Sequence, residues 1–189
     1  MKNWMRVLGI LFIAFAVFTP VLTALVTFML PEIFASSAKV LHPAGNPASL
    51  TTAVHKAVSQ TNLDQVIREL NLTGSWAAKY KQPNDLSLEK CREMLLRMIR
   101  IEVPSRSSII SIKVFSDDKV EAAAIANQIT AVHIRTSPGS MVIDRAEPNP
   151  VAARPNKKMN MVIGGFAGVT FLVIGIGLLI SSRLAVKPE

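Results

Sequence analysis

Two uncharged apolar runs lie at opposite ends of the chain, and a longer mixed segment separates them. Each run is 24 residues long, covering 7–30 and 159–182, and the segment between them covers 31–158. A helix rises about 1.5 Å per residue, so each run reaches roughly 36 Å, enough to cross a hydrocarbon core of roughly 30 Å. The pattern predicts two transmembrane helices flanking one domain. The alternative for the first run is a cleaved signal peptide, whose apolar core is shorter, about 7–15 residues.

The first half of the middle segment predicts one strand followed by helices. The stretch 34–41 is short and bounded by prolines, which favours a strand directly after the first apolar run. Helical spacing of apolar residues then predicts three helices, over about 48–59, 63–70 and 86–99. The candidate N-cap residues are Thr61 or Asn62 for the second of these helices and Asp85 or Ser87 for the third. The stretch 74–84, with Trp76 and Tyr80, is expected to be less regular.

The second half changes to a period of two and predicts a β-hairpin. Ile99, Ile101 and Val103 alternate with charged residues as far as Pro104, and a second alternating run holds Ile110, Ile112 and Val114 beyond a turn at 105–107. Asp118 and Glu121 have the spacing of a capping box for a helix that runs to about Arg135. A last strand begins at Met141. The fold class predicted is an α+β domain, a mixed sheet packed with about four helices, between two transmembrane helices.

Short basic flanks set the expected orientation. Tails 1–6 and 183–189 carry lysine and arginine, which favours a cytoplasmic location for both and an extracytoplasmic, periplasmic domain at 31–158. Arg154, Lys157 and Lys158, at the opposite end of the second run, argue against this orientation. The chain has a net charge of +8, and the middle segment holds 17 basic and 12 acidic residues. These charges are scattered without interleaved aromatics, so nucleic acid is not an expected partner.

No arrangement of residues predicts catalysis, a cofactor or a metal site. Cys91 is the only cysteine, and His42, His55 and His133 lie far apart without the spacing of metal ligands. Asp117 and Asp118 stand at a predicted helix start, where their charges complement the helix dipole. The chain is therefore expected not to be an enzyme.

Small residues form a row along each apolar run, and such rows let helices approach closely. In the second run the row consists of Gly164, Gly168 and Gly175. In the first run it consists of Gly9, Ala16, Pro20, Thr23 and Thr27. Pro20 also removes one helical hydrogen bond and is expected to kink that helix. The rows predict helix packing or oligomerisation, either between the two runs of one chain or between neighbouring subunits.

Four segments, in this order and between two terminal spans, resemble the polysaccharide co-polymerases, which are the chain-length determinant proteins of bacterial O-antigen, capsule and exopolysaccharide pathways. The segments are 35–43, 101–118, 122–127 and 142–157. The likeness is least secure over 44–98. Family members usually carry a long helical arm before the final strand, whereas only 136–140 stand there in this chain. There is also no G-x-x-x-x-G-K-[ST] motif of a kinase domain, so the chain resembles a minimal member.

The resemblance implies a non-catalytic inner-membrane protein of polysaccharide biosynthesis, including that of lipopolysaccharide. It implies a homo-oligomer, expected to be a ring, that regulates chain length or export beside a polymerase and contacts the lipid bilayer and the glycan. It also implies that the proline-rich stretch with Pro148, Pro150 and Pro155, together with the adjoining span, influences polymer length. Two alternatives stay open: an adaptor for a separate cytoplasmic kinase or transport ATPase, engaged through 183–189, and a structural accessory of an envelope complex unrelated to sugars.

Overall fold

A computed structural model describes residues 2–43, 47–104 and 107–184, and the chain divides into two compact units. One unit contains the terminal helices and the other covers Ile33–Ala153. The helices are α1 (Lys2–Met29), α2 (Pro47–Ala57), α3 (Gln60–Glu69), α4 (Leu72–Lys79), α5 (Leu88–Met98), α6 (Lys119–Thr136) and α7 (Lys157–Leu184). The strands are β1 (Ile33–Leu41), β2 (Ile99–Glu102), β3 (Ile109–Ser116), β4 (Met141–Asp144) and β5 (Ala152–Arg154).

The terminal unit consists of two long apolar helices, as the sequence predicts. Helices α1 and α7 contain stretches of 27 residues whose most apolar 18-residue windows have a mean hydropathy of 2.4, so both are long and apolar enough to cross a membrane. Helix α7 extends beyond its apolar run at both ends, whereas α1 extends beyond its run only at the start and ends at Met29, one residue before the run does. Pro20 lies inside α1, which continues as one helix from Lys2 to Met29.

The middle unit is built on a five-stranded sheet in the order β2-β3-β1-β4, with β5 pairing to β1 off this path. The pairs β2–β3, β3–β1 and β1–β4 are all antiparallel. These four strands therefore do not supply the parallel pairing that a mixed sheet requires. The predicted hairpin is present, although β2 ends at Glu102, before Val103. Of its predicted turn, Ser105 and Arg106 lie outside the described residues, and the Ser107 N–H donates to the Pro104 carbonyl at 3.1 Å.

Five helices accompany this sheet in the described part of the middle unit, one more than the sequence predicts. The additional helix is α4, in the stretch that was expected to be less regular. It begins after Asn71, whose backbone is left-handed with φ of 47°, and it contains Gly74. Both features interrupt the usual sequence signals of a helix. The buried indole of Trp76 explains why the helix nevertheless forms, since it fixes α4 against the core.

One of the predicted caps differs from the observed one, and the other is the second of its two candidates. The N-cap residue of α3 is Ser59 rather than Thr61 or Asn62. Asn62 is buried, and its side chain donates to the Lys56 carbonyl at 2.7 Å. For α5 the cap is Ser87, whose hydroxyl accepts from the Lys90 N–H at 3.3 Å, and not Asp85.

The core lies between one face of the sheet and the helices. Alternate residues of β1 and β3 point into it, α6 and α5 pack on these strands, and α3 packs on α5 and α6. The largest fully buried side chains of this core are Trp76, Leu63, Ile67, Leu95, Ile110, Ile112, Ile125 and Ile129. Cys91 is buried among them and behaves as a small apolar group, as the sequence predicts.

Candidate functional site

The small-residue rows of α1 and α7 lie against each other within one chain. A Cβ added at Gly164 would be 2.8 Å from Thr23 Cβ, and one added at Gly175 would be 2.9 Å from the Gly9 carbonyl oxygen. Such distances are too short for any residue but glycine. Ala16 and Thr27 are also buried in this contact. The two helices therefore approach closely at the positions where the sequence places its small residues.

Pro20 has a specific place in this contact. Since proline has no N–H, Pro20 leaves the carbonyl of Ala16, one turn earlier, without its helical hydrogen bond. Gly168 faces that carbonyl, because a Cβ added there would lie 2.8 Å from the Ala16 oxygen and 3.2 Å from Pro20 Cδ. The proline and the glycine thus form one matched pair across the two helices.

Gly165 and Gly177 are on the same helix but not in the contact. A Cβ at either position would meet nothing within 4 Å. The close approach therefore depends on which face a glycine occupies and not on the glycine content of α7.

One end of the helix pair carries polar contacts that align α1 with α7. Lys157 forms an ion pair with Glu32, and its ammonium lies 5.4 Å from the centre of the Phe28 ring. One turn further along α7, the Asn160 side-chain amide donates to the Thr27 hydroxyl at 3.3 Å. These contacts fix the register of the two helices at this end.

In the middle unit, Glu121 holds α4 against the start of α6. Its carboxylate accepts a hydrogen bond from Trp76 Nε1 at 2.6 Å, from Lys79 Nζ at 2.8 Å and from the Ser116 hydroxyl. The predicted capping box is therefore incomplete. Asp118 does cap α6, accepting from the Val120 N–H at 2.8 Å, but its own N–H donates to the Ser116 hydroxyl instead of to Glu121.

Asp117 also takes part in this cluster, through an ion pair with Lys79. Burial works against the charged forms of both side chains, but their hydrogen bond and mutual attraction prevail. The pKa of Lys79 is raised and the pKa of Asp117 is lowered. Among the described residues, no group of three or more histidine, cysteine or acidic side chains could hold a metal ion. The cluster is a structural tie between elements.

The proline-rich segment follows β4, and the Asn127 side chain ties it to α6. The Asn127 amide donates to the Ala146 carbonyl and accepts from the Ala146 N–H, both at 2.8 Å. Pro148 and Pro150 are exposed and border a groove of about 540 Å³. Pro155 belongs to the terminal unit. The structure thus places two of the three predicted prolines in one groove and the third outside it.

The structure brings together one pair of residues whose proximity the sequence does not predict. His42 and His133 are far apart in the chain, but their ring centres lie 6.5 Å apart at one end of the middle unit. His42 follows β1, and His133 lies on the buried face of α6. The one indication in the sequence is that His133 directly follows Val132, which lies on the apolar face predicted for this helix.

No family model matches the chain, and no curated protein matches it either.

Proposed function

We propose that the chain is a membrane protein and that α1 and α7 both cross the bilayer. The observation that carries this proposal is their exposure. Only 11% of the most apolar window of α1 is buried, and 17% of that of α7. Exposed apolar surface costs roughly 25 cal/mol per Å² in water, so two helices of this length need an apolar solvent.

The proposed location is a bacterial inner membrane, with both ends of the chain cytoplasmic and the middle unit periplasmic. The support is the distribution of basic residues, since Arg6 and Arg183 flank the same end of the helix pair. The opposite end carries Glu32, which neutralises Lys157. This pairing weakens the contribution of Lys157 as a charge opposing the orientation.

Within that membrane, we infer a non-catalytic, homo-oligomeric protein of polysaccharide biosynthesis that regulates chain length or export beside a polymerase. The support is the resemblance of four segments, together with their position in the fold. Strand β1 lies between β3 and β4, and α6 packs on it. Asn127, in the third segment, binds Ala146 in the fourth. Parts of all four segments therefore contact one another within the middle unit.

An assembly of several copies would make such a protein effective. Single sugar contacts are weak, but several contacts linked in one particle gain through effective concentration. A ring requires a heterologous contact that closes on itself. Because the small-residue rows already face each other within the chain, this contact has to use other surfaces than those rows.

The polysaccharide proposal is tested by deleting the gene and measuring surface-glycan length on gels. We expect a changed length distribution that the wild-type protein restores. A strain that lacks the protein and keeps both the length and the amount of its glycan would contradict the proposal. A chain without 183–189 is the second arm. If that chain fails to restore glycan although it is present in the membrane, the adaptor function is favoured.

Oligomerisation is tested separately, by measuring the mass of the protein in nanodiscs across a concentration series. We expect particles that contain several copies. A protein that stays monomeric at the highest concentration would contradict the homo-oligomer, whatever the result for the glycan.

A further inference from the structure

His133 is a fully buried ionisable side chain, and its ring atoms are the buried side-chain nitrogen and oxygen atoms that lack a hydrogen bond among the described residues. Its exposed fraction is 0%, and neither Nδ1 nor Nε2 has a partner within the described part of the chain. A neutral imidazole has one donor and one acceptor to satisfy, whereas the protonated ring has two donors. Protonation would therefore add a charge and a second unsatisfied donor to a site that already lacks partners.

The ionisable groups that act on His133 are both bases. His42 lies beside it, with Nδ1 3.0 Å from the Ser140 hydroxyl. Lys56 of α2 is the other, and its ammonium binds the Thr136 carbonyl on α6. Neither base can accept a hydrogen bond while charged, and each repels a positive charge on His133.

The carboxylates of the elements packed against α6 are engaged elsewhere. Asp64 on α3 binds Arg92, Glu69 on α3 binds Arg135, and Asp144 on β4 binds Lys39. Lys113 on β3 binds Glu102, and His55 on α2 is exposed. Burial first, and then the charges of His42 and Lys56, lower the pKa of His133 below its ordinary value of 6.5.

We propose that His133, with His42 beside it, forms a proton-sensitive latch, which holds α2 and the turn at 137–140 closed on α6 while the His133 ring is neutral and releases them when that ring is protonated. The parts that move in this proposal are α2 and the turn at 137–140. Residues Ala53 and Ala57 of α2 are buried at this end of the unit, as are Ser137 and Ser140 of the turn. Breaking these contacts is the way for His133 to reach water.

A cavity of about 370 Å³ marks the route by which water enters. His42, Ala53, Lys56, Ser137 and Pro138 are among its lining residues, so it lies between α2 and the turn. Gly139 closes the turn with φ of 84°, and a Cβ there would lie 3.0 Å from the Pro43 ring. The turn therefore also packs against Pro43, which follows β1.

The direction of the effect follows from proton linkage. The histidine of the open form titrates near 6.5, and that of the closed form titrates at lower pH. The open form therefore binds more protons in this interval, so the closed form is fully favoured above about pH 6.5 and loses its advantage as the pH falls below that value.

The test is hydrogen exchange of the full chain in nanodiscs at pH 7.5 and pH 5.0, corrected for the intrinsic pH dependence of exchange. We expect the backbone amides of 48–57 and those of Ser137, Gly139 and Ser140 to exchange at least about 10-fold faster at pH 5.0, with little change in β1 and β3. His133→Met should abolish this difference, because methionine fills the site without titrating. His55→Gln removes an exposed histidine two residues from Ala57 and should keep the difference.

Equal exchange at the two pH values in the wild-type protein would overturn the proposal, as would a pH response that His133→Met retains. Because His133→Met alone could fail to fold, the wild-type imidazoles supply a second readout. The chain has three histidines, so their ring signals can be followed together by NMR. We expect the His133 signal to titrate only as α2 opens. Titration near 6.5 with α2 still protected would also overturn the latch.

Discussion

Single glycines in α7 differ in what surrounds them, although the sequence presents them in one apolar run. Gly164 and Gly165 are neighbours in the chain, but only Gly164 faces Thr23. Gly168 faces the carbonyl that Pro20 leaves without a helical partner. Backbone oxygens cannot move aside as flexible side chains can, so the cost of a larger residue depends on position.

Gly168→Val should therefore destabilise the helix pair, and Gly165→Val should not. Both substitutions change helix propensity by the same amount, so their difference isolates the contact with Ala16. We expect a loss of about 1–3 kcal/mol in the free energy of unfolding for Gly168→Val and about 0.5 kcal/mol or less for Gly165→Val. The measurement is SDS titration of the protein in mixed micelles. Equal losses at the two positions would show that α1 does not approach α7 at Gly168.

At the scale of elements, contacts between side chains of two different elements determine features that the apolar periodicity does not predict. Strands β1 to β4 and helices α2, α3, α5 and α6 follow the apolar pattern, so the sequence predicts them. Helix α4 does not, because the tertiary contact of Trp76 with Glu121 stabilises it. The same contact withdraws Glu121 from the capping box. Local rules fail here because a distant partner offers a stronger interaction.

The residues of the candidate site also fall into two groups, those that local sequence patterns predict and those that depend on tertiary packing. The small-residue rows are visible in the sequence because helical periodicity is a local property. The pairing of His42 with His133 is not, since it depends on how β1 and α6 pack. Asn127 is a similar case, since its partner Ala146 lies 19 positions away in the chain and presents only its backbone.

Asn127→Ala should loosen the proline-rich segment from α6. The substitution removes both hydrogen bonds to Ala146, which is buried, and leaves its backbone N–H and carbonyl without those partners. We expect a loss of about 1–3 kcal/mol in the free energy of unfolding and faster amide exchange at 144–150. Gln128→Ala, at the next position, removes an exposed contact with Glu69 and serves as the control. Unchanged exchange at 144–150 would contradict the role given to Asn127.

At the scale of the whole molecule, the antiparallel packing of α1 and α7 constrains where their ends lie. Helices α1 and α7 contact each other along their length, from Gly9 with Gly175 to Thr27 with Asn160. If both cross the bilayer, the start of α1 and the end of α7 lie on one side of it. The middle unit connects the other two ends of these helices. It then lies on the opposite side of the bilayer.

This topology can be determined with introduced cysteines, because the native Cys91 is expected to react little with a thiol reagent. It is buried, and burial raises the pKa of its thiol, so little reactive thiolate reaches a reagent. Tyr80 is exposed in the middle unit, and Trp4 is exposed near the start of α1. In intact cells with a permeable outer membrane, a membrane-impermeant maleimide should label Tyr80→Cys, and it should label Trp4→Cys only after the inner membrane is opened. Labelling of Trp4→Cys alone in intact cells would reverse the proposed orientation. Equal labelling of both would mean that α1 does not separate them by a membrane.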